Sequence, residues 1–112
     1  HQKTHNIIKL IRDICDLLKT KTIIITETNL PEKENLSYFG NNDESNWVYN
    51  FSLPPLLVYS LLFEDSSKIT KWSMSLPNTK KGNNYLNFIA SHDGIGMRPV
   101  EGILEKNKQK KL

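Results

Sequence analysis

At 112 residues, with 15 basic and 12 acidic side chains and a formal charge of +3, the chain is long enough for one modest core. It is too short for a complete enzyme barrel of about 250 residues. The positive excess sits in residues 105–112, where Glu105 stands against Lys106, Lys108, Lys110 and Lys111; the remaining residues hold 11 charges of each sign, which excludes a basic nucleic-acid face and marks 105–112 as a basic, solvated end.

A single cysteine, Cys15, allows no disulfide framework within the chain and suits a reducing, cytoplasmic setting. The longest apolar run, residues 53–63, is broken by Pro54, Pro55, Tyr59 and Ser60 and falls far short of the roughly 20 residues a membrane span needs. Opening on His1, without Met or a signal-like stretch, the sequence reads as starting at a cut, with the rest of any barrel outside it.

The first predicted element is a helix over His5 to Lys19. Ile7, Ile8, Ile11, Ile14, Cys15 and Leu18 recur along one face, with Thr4 as N-cap and Lys19 and Lys21 at the favourable end for cations. The β-branched run Thr22 to Thr26 predicts a strand buried on both faces in a parallel sheet. It ends in Glu27. Residues 28–46 read as a long loop with a short helix near Glu34 to Phe39. A second strand is predicted over Trp47 to Phe51, then a helix from Pro55 to Phe63 with proline in its first turn. Ser66 or Ser67 is set to cap a helix over Ile69 to Leu76. A third strand, Tyr85 to Ala90, leads into Ser91-His92-Asp93-Gly94. Helices alternating with strands in this way predict an α/β fold with a parallel sheet.

Both Glu27 and Asp93 follow predicted strands, and in an α/β barrel catalytic side chains project from the C-terminal ends of strands. Taken singly, an acid after a strand is more often a solvated loop residue or a helix cap. Their shared placement is what argues for a site. His1 and His5 have no cysteine or carboxylate at ligand spacing, so no metal is expected. Tyr49 and Phe51 read as core rather than as a sugar platform.

Four stretches carry a resemblance: Ile24-Ile25-Thr26-Glu27-Thr28-Asn29-Leu30-Pro31, Glu34-Asn35-Leu36-Ser37-Tyr38-Phe39-Gly40-Asn41, Val48-Tyr49-Asn50-Phe51-Ser52-Leu53-Pro54-Pro55-Leu56-Leu57, and Ala90-Ser91-His92-Asp93-Gly94-Ile95-Gly96-Met97-Arg98-Pro99. In order and spacing they resemble the sucrose phosphorylase-like branch of the alpha-amylase family (glycoside hydrolase family 13), over roughly residues 5–104. The wording is nearer to its glucosylglycerate phosphorylase-like members. The resemblance implies part of a TIM (β/α)8 barrel, about strands 5 to 7 with their helices. It also implies a retaining glucosyl transfer from an α-glucoside such as sucrose or glucosylglycerate, giving α-glucose 1-phosphate. Inorganic phosphate is then the co-substrate, and no cofactor is implied.

Under the same resemblance Glu27 matches the acid/base after the fifth strand, and His92 and Asp93 match the pair after the seventh. Asp93 stabilises the oxocarbenium-like transition state and His92 binds sugar hydroxyls. The nucleophilic Asp belongs to the fourth strand, upstream of His1, so the chain alone is expected to be inactive. A retaining displacement sets its acid and its nucleophile about 5 Å apart across the anomeric carbon, and such an acid is expected to be buried beside other carboxylates.

Asn29, two residues past Glu27, is placed to border an acceptor site. Arg98 offers charge to an anionic acceptor such as glycerate or phosphate, against the plainer reading of a surface ion pair. Gly94-Ile95-Gly96 allows close backbone approach to a sugar, although a Gly-x-Gly is more often a loop turn. Two rival functions stand beside the phosphorylase: an α-glucosidase or amylase-like hydrolase on the same barrel, and a basic-tailed module contacting RNA. Neither a nucleic-acid nor a membrane partner is expected, and the oligomeric state is open. Three strands of an eight-stranded barrel leave open edges, which predicts that the chain by itself is marginal or aggregation-prone.

Overall fold

The computed structural model describes residues 2–19 and 21–112, so His1 and the reading attached to it lie outside the described residues. The chain runs through α1 (Gln2–Leu17), β1 (Ile25–Thr26), α2 (Glu32–Leu36), β2 (Trp47–Tyr49), α3 (Leu53–Phe63), α4 (Ser67–Ser75), β3 (Asn84–Leu86) and α5 (Lys106–Gln109). Short 3-10 turns occupy Ser37–Phe39 and Arg98–Val100. The strands form one sheet in the order β1-β2-β3. Both pairings are parallel, with Thr26 beside Val48 and Val48 beside Tyr85. The α/β class expected from the sequence is the observed one.

The strands are shorter than the sequence predicts. At β1 only Ile25 and Thr26 pair, while Asn46 and Trp47 both donate to the Ile24 carbonyl. β1 is an edge strand with one neighbour, so the expectation of burial on both faces fails. Ile23 and Ile25 are 52% and 44% exposed. β3 stops at Leu86 because its partner turns away: the Asn50 amide donates to the Leu86 carbonyl, and three residues later the chain enters α3. Residues 87–90, predicted to be strand, continue unpaired, tied by Asn50 Nδ2 donating to Asn87 Oδ1 at 2.8 Å.

α1 begins at Gln2, so Thr4 lies inside the helix rather than at its cap. Its attachment also inverts the sequence expectation. The helix is held through its polar side: His5 Nδ1 lies 2.6 Å from Glu44 Oε2, and the His5 ring stacks on Tyr38. Lys9 Nζ lies 2.9 Å from Asp43 Oδ2, and Arg12 donates to the Glu44 carbonyl. No described residue of α1 is buried; Ile7, Leu10, Ile11, Ile14 and Leu17 are exposed, and Cys15 is half-buried.

The packed core lies elsewhere, between α3, α4 and the C-terminal segment. Leu56, Tyr59, Trp72, Val100 and Leu104 are its buried members. Pro54 and Pro55 sit in the first turn of α3, where the missing amide hydrogens cost nothing. α3 ends with Glu64 in the left-handed conformation. Asp65 then takes over the capping expected of a serine: its Oδ1 accepts from the Ser67 amide at 2.9 Å and its Oδ2 from the Tyr59 hydroxyl at 3.1 Å. A carboxylate is the stronger acceptor, and the Ser67 hydrogen bonds hold the Asp65 carboxyl below its ordinary range. In the basic end, three lysines are exposed, while Lys108 Nζ lies 4.3 Å above the Phe63 ring and Leu112 packs on the core.

Two consequences can be measured. Glu32 accepts a hydrogen bond from the Trp72 indole, linking α2 to α4, and burial pushes its carboxyl above the ordinary 4.5 despite that bond. Its charged form is therefore disfavoured in the folded state, and stability contributed by the neutral form is lost as pH rises through the elevated value. Glu32→Gln keeps an acceptor for Trp72 and removes the charge. It is expected to melt higher than the parent at pH 7, with the gap closing as pH falls to about 4.5, followed by circular dichroism. The exposed face of α1 together with Ile23 and Ile25 predicts concentration-dependent self-association of the 112-residue chain, read by sedimentation velocity; a monomer at every concentration would contradict it.

Candidate active site

Parallel strands place their C-terminal ends on one edge of the sheet, and the chain there carries polar groups immediately after the ladder. Glu27 follows Thr26 directly. Thr26 is buried and its hydroxyl donates to Ser45 Oγ at 3.2 Å, which in turn donates to the Tyr38 carbonyl at 2.6 Å. Asp93 is held differently, by a turn. The Asp93 amide donates to Ser91 Oγ at 3.3 Å, the Gly94 amide donates to the Ser91 carbonyl at 3.1 Å, and Gly94 has φ +80°. A residue with a β-carbon is strained in that conformation.

The two ends meet around a hollow of about 440 Å³, within the roughly 300–1,000 Å³ of small-molecule sites. Glu27, Asn29, His92 and Asp93 line it, so four of the five residues singled out in the sequence come together. Ser91, Gly94, Ile95 and Gly96 complete the loop side. His92 Nε2 lies 3.4 Å from Asp93 Oδ1, and their side chains are 88% and 72% exposed. Glu27 is exposed as well, contrary to the buried setting expected for an acid/base, because the hollow is open to solvent.

Arg98 does not join this group. It lines a separate hollow with Leu30, Glu34 and Tyr38, because Ser52 Oγ donates to the Pro99 carbonyl at 3.1 Å and ties the Arg98–Val100 turn to the start of α3. Phe51 corrects the sequence reading in the other direction. It stacks with Tyr49 at 5.5 Å and meets Phe88 edge-on at 5.2 Å, yet it also lines the hollow. Phe51, expected only to pack, thus supplies an aromatic wall. Among the described residues, no three His, Cys, Asp or Glu side chains gather as a metal ion would need.

An open hollow with two carboxylates, an imidazole, an amide and an aromatic ring suits a polyhydroxylated ring better than an apolar ligand. Comparison with known proteins agrees. Over 104 residues the chain is 48% identical to the glucosylglycerate phosphorylase of Spirochaeta thermophila, covering 93% of this chain and 18% of that protein. Over 108 residues it is 44% identical to the glucosylglycerate phosphorylase of Escherichia coli, covering 96% and 19%. A sucrose phosphorylase of Agrobacterium vitis is 36% identical over 53 residues, 47% of this chain and 10% of that one. The chain belongs to the phosphorylase branch of the alpha-amylase family. No family model matches it, and it spans just under a fifth of the length of the two glucosylglycerate phosphorylases.

In this family member one supporting residue escaped the sequence reading. Asn35, buried in α2, accepts from Thr28 Oγ1 at 2.5 Å and donates through Nδ2 to the Tyr49 carbonyl at 2.7 Å. It fastens the residue after Glu27 to β2. In the sequence Asn35 is one of several loop asparagines and the start of an Asn-x-Ser triplet, and only burial distinguishes it. Asn35→Ala leaves both partners unsatisfied and is expected to lower the unfolding free energy by about 1–3 kcal/mol, measured by urea denaturation; an unchanged midpoint would remove Asn35 as the anchor of the Glu27 loop.

Proposed function

We propose that the protein carrying these residues is a retaining glycoside phosphorylase that moves a glucosyl group between an α-glucoside and inorganic phosphate. The convergence of Glu27, Asn29, His92 and Asp93 on one hollow is the observation that carries this reading. The names of the relatives, glucosylglycerate phosphorylases above all, favour an α-glucoside of glycerate. Sucrose remains the second substrate to try.

In this reading Glu27 is the acid that protonates the leaving oxygen and then, as a base, activates the incoming group. Asp93 stabilises the positive charge that develops at the anomeric carbon, and His92 holds sugar hydroxyls. The nucleophile comes from outside residues 1–112, and the chain by itself is inactive. Asn29 faces the acceptor. Arg98, which lines a separate hollow, supplies charge for an anionic acceptor. No cofactor takes part, since a double displacement at carbon needs only acids and a nucleophile, and the enzyme works in the cytoplasm.

For the fold, we place residues 1–112 at about strands 5 to 7 of a (β/α)8 barrel. Sequential parallel pairing, with Glu27 directly after β1 and Asp93 in the loop that follows β3, supports that placement. So do the open edge at β1 and the uncovered apolar face of α1, which the remaining barrel would cover.

The test is phosphate release from α-glucose 1-phosphate by the full-length protein, offered glycerate, glycerol and fructose in turn, beside Glu27→Gln. Release with glycerate, reduced by about 10²–10⁴-fold in the variant, is the expected result. Hydrolysis of an α-glucoside without any phosphate dependence would move the assignment to the hydrolase.

A further inference from the structure

The two glycines of Gly94-Ile95-Gly96 are there for different reasons. At Gly94 φ is +80° and a β-carbon would meet nothing within 4 Å, so the backbone conformation alone favours glycine. Gly96 is the reverse: its conformation is an ordinary one, but a β-carbon built on it would lie 2.7 Å from Oδ1 and 2.8 Å from Cγ of Asn29, with Nδ2 closer still. The Asn29 amide therefore rests on bare backbone. The close approach that the sequence suggested for a sugar is made by another residue of the protein.

This contact joins loops that the sheet keeps apart. β1 and β3 are not neighbours; β2 lies between them, and two strand spacings amount to about 9–10 Å. Asn29 stands two residues after Glu27, and Gly96 three residues after Asp93. Both line the same hollow. An amide on an exposed loop has many rotamers, and a hydrogen-bonding group contributes to recognition only when its orientation is settled before the ligand arrives.

We infer that Gly96 is a positioning residue: it seats the Asn29 amide on its backbone, across the end of β2, and so presents that amide to the hydroxyl groups of the acceptor on the Glu27 side of the site. The inference rests on the phosphorylase reading, because the acid that protonates the leaving oxygen marks the acceptor side. A methyl group at position 96 evicts the amide, and the loss passes through Asn29.

The experiment is a double-mutant cycle in the full-length protein, with phosphate release from α-glucose 1-phosphate as readout and melting temperature recorded for each variant. Gly96→Ala and Asn29→Ala are each expected to lower kcat/KM for the acceptor by about tenfold, with KM for α-glucose 1-phosphate unchanged. Adding Gly96→Ala to Asn29→Ala should cost less than about twofold. Losses that multiply, or a Gly96→Ala enzyme as active as the parent, would overturn the proposal. If Gly96→Ala fails to fold, a folded double variant supports the seat, since the amide is the clashing group, and an unfolded double variant overturns it. A parent enzyme that hydrolyses but does not phosphorolyse sinks the phosphorylase reading; the same cycle on hydrolytic kcat/KM then decides the role of Gly96. A parent with no glucosyl transfer of either kind overturns both.

Discussion

Parallel pairing of β1 with β2 and of β2 with β3 is the constraint on which the site depends. If β2 ran antiparallel to its two neighbours, its C-terminal end would leave from the opposite edge of the sheet, and Phe51 would stand a strand length from Glu27 and Asp93. With every strand running the same way, each connection must cross back over the sheet, and each functional loop leaves from the same edge. The ladders themselves are only two or three residues long. Side chains extend the pairing at both ends: Asn46 Oδ1 accepts from the Ile24 amide just before β1 and β2, and Asn50 Nδ2 donates to Asn87 Oδ1 just after β2 and β3. Asparagine suits this role because its amide both donates and accepts, as a backbone peptide does.

The loop that carries Glu27 is held from two directions. Below it, Asn35 joins Thr28 to β2 through two short hydrogen bonds. Above the end of β2, the Asn29 amide lies against Gly96. One contact is a buried polar pair and the other is a steric seat, so the first contributes mainly to stability and the second to orientation. Phe51, two residues past β2, lines the hollow together with the two acid-bearing loops.

The distribution of apolar surface tells a second story. The buried cluster of Leu56, Tyr59, Trp72, Val100 and Leu104 packs helices against the C-terminal segment rather than against the sheet. α1 docks through His5, Lys9 and Arg12 to Asp43 and Glu44 and leaves Ile7, Ile11 and Ile14 exposed. Exposed ion pairs contribute little. The firmer parts of that attachment are the nearly buried Glu44 carboxylate, at 4% exposure, and the stacking of His5 on Tyr38.

Local pattern determined much of this protein in advance. The periodic isoleucines specified α1, Pro54-Pro55 specified the start of α3, the three β-branched or aromatic runs located the strands, and the wording around Glu27 and His92-Asp93 identified the family. These are properties of neighbouring residues, and they survive in the sequence because they act over one turn or one strand. Tertiary structure alone decided which face of α1 docks, where the ladders stop, that Phe51 lines the hollow and Arg98 does not, and that Asn35 and Gly96 brace the Glu27 loop. Each of those outcomes depends on a partner far along the chain: Asn35 on Tyr49, Asn29 on Gly96, Ser52 on Pro99. An asparagine or a glycine looks the same in sequence whether or not such a partner arrives.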